Sequence, residues 1–88
     1  MFIVKRNGHE ESFDERKLYA SVYSATFNCH NSEEYAEEIA QKVTDKIISE
    51  IKNNVNISSR KIRIRVEEEL KSIDRDVTVM YKLNTASL

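Results

Sequence analysis

Apolar residues recur along this chain with two different periods, and the switch between them marks out its elements. Over residues 2–13 the period is two: Phe2, Val4 and Phe13 share one face, with Arg6, His9 and Glu11 at its outer end. Asn7-Gly8 in the middle is the favoured pair for a two-residue type I′ turn, because both central residues take positive φ and the mirror-image turn matches strand twist. Across that turn Arg6 faces His9, Lys5 faces Glu10, Val4 faces Glu11, Ile3 faces Ser12 and Phe2 faces Phe13.

From residue 14 the period becomes helical. Asp14 can cap a helix that runs to about Phe27, and Ser12 with Glu15 forms a competing capping box. Leu18, Val22 and Ala25 trace the inner stripe, and Tyr19, Tyr23 and Phe27 widen it, which predicts burial along more than one flank. Residues 28–31 break the pattern. Asn31 or Ser32 then caps a second helix to about Lys52, with Ala36, Ile39, Ala40, Val43, Ile47 and Ile51 on one face. Glu33, Glu34, Glu37 and Glu38 lie opposite, as an ordinary solvated surface. Asn53, Asn54 and Asn56 favour a turn, and Val55 with Ile57 can form a very short strand that extends the hairpin.

The segment Lys61 to Val66, KIRIRV, fits both periods. Ile62, Ile64 and Val66 alternate like a strand, whereas Ile62, Val66, Leu70 and Ile73 form a helical stripe that Ser58 or Ser59 can cap. The strong helix formers from Glu67 to Leu70 decide for helix. Asp74-Arg75-Asp76 reads as a break, followed by a last short helix with Val77, Met80, Tyr81 and the stretch from Leu83 to Leu88. The expected fold class is α+β: residues 1–88 as one domain, a small bundle of about four helices capped by an N-terminal β-hairpin, with a short third strand.

Composition sharpens this reading. One glycine and no proline leave little material for irregular connections. Fourteen basic residues against fifteen acidic ones give no overall field that would gather nucleic acid, so an anion site must be local. No apolar run approaches the roughly 20 residues that span a bilayer, and the N-terminus lacks a signal-peptide core, so no membrane is expected and the cytoplasm is the default compartment. A single cysteine forms no internal disulfide.

The chain has no glycine-rich phosphate loop, so cationic side chains would have to hold any phosphate. Lys5 and Arg6 lie on the hairpin, Lys17 in the first turn after Asp14, and Arg63 in the first turns after Ser59. Each alone reads as a solubilising surface charge. Convergence of the three segments would put four cations and two positive helix ends around one pocket, enough to balance a nucleoside triphosphate.

The residues Val4-Lys5-Arg6-Asn7-Gly8, then Phe13-Asp14-Glu15-Arg16-Lys17-Leu18, resemble the signature of the ATP-cone. This is the regulatory nucleotide-binding domain at the N-terminus of many ribonucleotide reductase large subunits and in the bacterial repressor of reductase genes. Ile57-Ser58-Ser59-Arg60-Lys61-Ile62, followed by Val66-Glu67-Glu68-Glu69-Leu70, matches the family's second block, so the resemblance covers essentially the whole chain. It implies a non-catalytic domain that binds ATP or dATP as effector, with Mg2+ as an optional companion. It implies Lys5, Arg6 and Lys17 on the phosphates and Ser59 and Arg63 by the phosphates or sugar. Glu11 and Asp14 would meet adenine, and Val4, Leu18 and Ile62 would line or support the base. The chemistry agrees, since carboxylates accept from adenine's 6-amino group and repel guanine's 6-oxo group. For Leu18 a plain core role is the ordinary alternative.

Two departures stand out. Asn7 replaces the usual Asp of the turn, and Asn84 and Thr85 stand where the family has an aromatic residue and an arginine after Tyr81. The implied partners are an adenine nucleotide and either a second copy of the chain or a ribonucleotide reductase-type protein. The alternative is a protein-interaction module of the same fold that has lost nucleotide binding. Cys29-His30 and His9 match no standard zinc spacing, and no residue supplies a base for a cysteine nucleophile, so neither a metal nor a catalytic residue is expected. The basic run Arg60, Lys61, Arg63 and Arg65 spreads around a helix and leads into Glu67 to Glu69, which argues against nucleic acid.

Overall fold

The computed structural model describes the backbone at residues 3–6, 9–52 and 57–85, and side chains from residue 13 onward within those spans. The turn at Asn7-Gly8, the side chains of Phe2, Val4, Lys5, Arg6, His9 and Glu11, the segment from Asn53 to Asn56 and residues 86–88 lie outside that description. Strand β1 (Ile3–Arg6) pairs antiparallel with β2 (His9–Ser12), Ile3 against Ser12 through Arg6 against His9. Its other edge pairs in parallel with β3 (Ile57–Ser58), Val4 against Ile57 and Lys5 against Ser58.

Helix α1 (Glu15–Phe27) starts where Asp14, in extended conformation, accepts the Arg16 N–H; this decides for Asp14 over the Ser12 box. It ends in a turn through His30 at φ 62°, where the Asn31 amide donates to the Thr26 carbonyl at 3.0 Å and so satisfies a terminal acceptor. Ser32 caps α2 (Glu33–Ile51) by accepting the Tyr35 N–H at 3.1 Å. Ser58 caps α3 (Ser59–Ile73) by accepting the Lys61 N–H at 3.0 Å, so KIRIRV is helical. α4 (Arg75–Thr85) follows after Asp74 alone.

The apolar stripes of all four helices close on one another: Leu18, Val22 and Ala25 of α1, Ile39, Val43, Ile47 and Ile51 of α2, Ile62, Val66 and Leu70 of α3, and Val77 and Tyr81 of α4 form one core. Charge links the helices at the periphery. Arg65 on α3 donates to both carboxylate oxygens of Glu50 on α2 and pairs with Glu68 and Glu69 on its own helix.

The expectation of an α+β fold, a bundle capped by an N-terminal β-hairpin, is corrected by this arrangement: among the described residues the architecture is that of four helices. They run to 13, 19, 15 and 11 residues, whereas the strands have four, four and two. Ile57 is the one strand residue among the described side chains of the core, and the strands meet the helices chiefly at α3. Among the described residues no sheet layer caps the bundle, because β3 has only two residues and a layer of its own stability needs three or more strands of useful length. Two smaller corrections follow. Arg75 and Asp76 belong to α4, since Asp74 both ends α3 and caps the next helix. Phe27 is 44% exposed instead of buried, stacked on Tyr23 with ring centroids 6.0 Å apart.

Candidate nucleotide site

Two helix starts and one strand edge bring the sequence-derived candidates into relation. At α1, the Asp14 carbonyl accepts the N–H groups of Lys17 at 3.2 Å and Leu18 at 3.3 Å, which fixes both residues in the first turn. The Lys17 side chain is exposed, and Leu18 points inward to the core edge at 7% exposure. The Asp14 carboxylate accepts the Arg16 backbone N–H at 3.0 Å and lies 3.6 Å from the Arg16 Nε. The backbone hydrogen bond holds this carboxyl below its ordinary range against a weaker opposing effect of burial, and the Arg16 charge reinforces it. It is therefore an ionised acceptor at neutral pH.

At α3, Ser58 is consumed as the cap, and Ser59, half-buried, becomes the first helical residue. Ile62 enters the core at 7% exposure, and Arg63 is half-buried one residue further on. The backbone ties this helix start to the N-terminal strands, because Lys5 pairs with Ser58 while Val4 lies between Ile57 on one side and Glu11 on the other. Val4, Lys5, Glu11 and the start of α3 thus share one small sheet, and Leu18 and Ile62 share one core. Arg6 is in the same sheet, opposite His9. The remaining basic residues of α3 divide: Arg60 and Lys61 are exposed, and Arg65 is committed to Glu50 on α2.

One part of this region was not singled out as a contact in the sequence. Tyr81 of α4 is 4% exposed, with Ser21 of α1 and Arg63 and Glu67 of α3 near enough to act on its phenol. Burial pushes this phenol up to about 12; Ser21 and Arg63 pull it down, and Glu67 adds to the rise. The signal available was Ser21 itself, a polar residue one turn beyond Lys17 and Leu18 on the flank of a buried helix.

Elsewhere, the Cys29 thiol donates to the Asp76 carbonyl at 3.5 Å, and burial with the nearby Asp74 and Asp76 charges pushes it up. Among the described residues no group of three or more His, Cys, Asp or Glu side chains could hold a metal ion, and no helix is long and apolar enough to cross a membrane. Comparison with known proteins gives one finding: the family model described as ATP cone domain matches residues 1–83. No curated protein and no solved structure gives a match.

Proposed function

The chain belongs to the ATP-cone family, whose members are regulatory, non-catalytic modules that bind ATP or dATP as effectors, and from that membership we propose that this domain is itself a sensor of adenine nucleotide. The observation that carries the reading is the parallel pairing of β1 with β3, which sets Lys5 beside the capping serine of α3 and so joins the first sequence block to the second. Lys5, Arg6 and Lys17 neutralise the triphosphate. Ser59 and Arg63 hold phosphate or sugar at the positive end of α3. Glu11 and Asp14 accept from the adenine 6-amino group, while Val4, Leu18 and Ile62 enclose the base.

An effector acts only by favouring one of two arrangements over the other, so the bound state must alter a contact with a second copy or with a ribonucleotide reductase-type partner. Isothermal calorimetry of the purified chain tests the ligand. ATP or dATP gives heat that weakens with salt, GTP gives much less, and Lys5→Ala with Lys17→Ala abolishes the signal. No heat from either adenine nucleotide with the unmutated chain refutes the proposal.

Thr85 supports a second reading. It occupies the place of the family's arginine, is buried, and donates its hydroxyl to the Tyr81 carbonyl at 2.8 Å, so it supplies no cation there. A partner that binds the Lys5/Lys17 variant as well as the unmutated chain, with or without nucleotide, would establish an interaction module that has lost its ligand.

A further inference from the structure

Between Leu18 and Ser32 the chain carries no Asp, Glu, Lys or Arg, although 33% of its residues are charged. That stretch makes up most of α1, and α1 is not wrapped on all sides: Ala20 and Ser24 are exposed, Phe27 is 44% exposed, and Tyr19 and Tyr23 are half-buried. The three rings stack along one edge, Tyr19 on Tyr23 at 6.3 Å and Tyr23 on Phe27 at 6.0 Å, and so form a continuous surface. The outward positions of α2, α3 and α4 by contrast carry charge throughout. Depletion of charge with enrichment of aromatic rings is the composition of a contact surface, and small residues beside the rings let a second helix come close.

Charge returns at the two ends of this face with opposite sign. Arg16 stands at its start, with its side chain 91% exposed. At its other end residues 28–32 turn the chain back, α2 packs against α1, and Glu33 and Glu37, exposed in the first turns of α2, come beside Tyr23. Arg16 and Tyr23 are seven residues apart and therefore share one flank of α1, the flank next to those carboxylates. A two-fold axis across the face sets two copies of α1 antiparallel and keeps both α2 helices on the same side. Arg16 of each copy then meets Glu33 and Glu37 of the other, whereas a parallel pair would oppose Arg16 to Arg16. We infer that the outward face of α1 is the surface by which this chain forms a two-fold dimer with a second copy of itself, Ala20 of one copy crossing Ser24 of the other. The inference goes beyond the adenine-nucleotide reading above and does not depend on it.

Helix α1 has 13 residues, a length of about 20 Å. With the adjoining edge of α2 this is a small interface, so the dimer is weak and is sought by analytical ultracentrifugation of the nucleotide-free full chain at concentrations up to about 1 mM in low salt. The expected result is a monomer–dimer equilibrium with no larger species. Ser24→Glu, at an exposed helical position, should remove the dimer while circular dichroism and the heat of ATP binding stay unchanged. Arg16→Glu, and separately Glu33→Lys/Glu37→Lys, should each raise the dimer dissociation constant about tenfold, because two ion pairs become two repulsions. Mixed in equal amounts, those two variants should dimerise with each other as well as the unmutated chain does with itself, since both junctions again pair opposite charges. A chain that stays monomeric at every concentration, a dimer that persists in Ser24→Glu, or no recovery on mixing overturns this inference and leaves the proposed function standing. Absence of ATP heat from the unmutated chain overturns the proposed function and leaves the dimer standing.

Discussion

Asp74 makes more structural connections than any neighbouring residue, and its removal is the sharpest test of how the helices are fastened. Its N–H closes α3 on the Leu70 carbonyl at 2.7 Å, a bond that substitution leaves intact. Its side chain does two separable things. Oδ1 accepts the N–H groups of Asp76 at 3.1 Å and Val77 at 3.3 Å, which caps α4. Oδ2 accepts the Tyr35 hydroxyl at 2.8 Å, which ties that junction to the start of α2. Loss of the cap costs about 1 kcal/mol. The bond to Tyr35 involves a charged acceptor, but it is half-exposed, so about 1 kcal/mol is the fair figure for it as well. Asp74→Ala should therefore lower stability by about 2 kcal/mol and Tyr35→Phe by about 1 kcal/mol, against a total of roughly 4–13 kcal/mol for a chain of this size.

Urea unfolding followed by helical circular dichroism measures both, and the double variant should be no less stable than Asp74→Ala. Asp74→Asn should fall between, because asparagine caps nearly as well. The bond also raises the Tyr35 phenol above its ordinary value, with burial and the Asp74 charge adding to the rise. Its contribution is then complete below about pH 10 and is lost as pH rises through the raised value. An Asp74→Ala variant no less stable than Tyr35→Phe would show that the cap contributes nothing, and the reasoning would fail.

Two further outcomes follow from burial. Leu70→Ala, at a fully buried position facing the other helices, should cost about 3 kcal/mol in the same urea experiment, and a loss below about 1 kcal/mol would mean that the site is not close-packed. Tyr81 should make stability fall between about pH 10 and about pH 12, since its folded-state value is raised to about 12 and the folded state holds the proton more tightly; the drop is about 2–3 kcal/mol. Tyr81→Phe should remove that part of the alkaline slope, and an unchanged slope would count against the buried phenol.

Where a residue's role depends on its neighbours along the chain, the sequence was a good guide. Asp14 and Ser32 act as caps, the apolar stripes of α1, α2 and α3 face the core, and Glu33, Glu34, Glu37 and Glu38 are exposed, because helix periodicity and capping are local properties. Lys17 and Arg63 could be assigned to first turns on the same grounds. The misreadings arose where tertiary context decided. Three polar residues from Asp74 to Asp76 look like a loop, yet one aspartate suffices to end one helix and begin the next. Phe27 completes an apolar stripe in sequence, but stacking on Tyr23 satisfies it at the surface. Alternation over the first dozen residues suggested a sheet layer, and the length of the third strand prevents one. The approach of Arg63 and Glu67 to Tyr81 depends on how α3 and α4 pack, which no local pattern encodes.

Helix α4 is fastened unevenly along its length. At its N-terminal end the helix is held by the Asp74 cap, by the Thr78 hydroxyl on the Asp74 carbonyl at 2.9 Å, and by Cys29 on the Asp76 carbonyl. Toward its other end Thr85 bonds within the helix itself, and Val79 and Leu83 face outward, Leu83 at 68% exposure. The buried side chains of that half, Tyr81 and Thr85, hold it to the rest of the bundle while the outward pair stays uncovered.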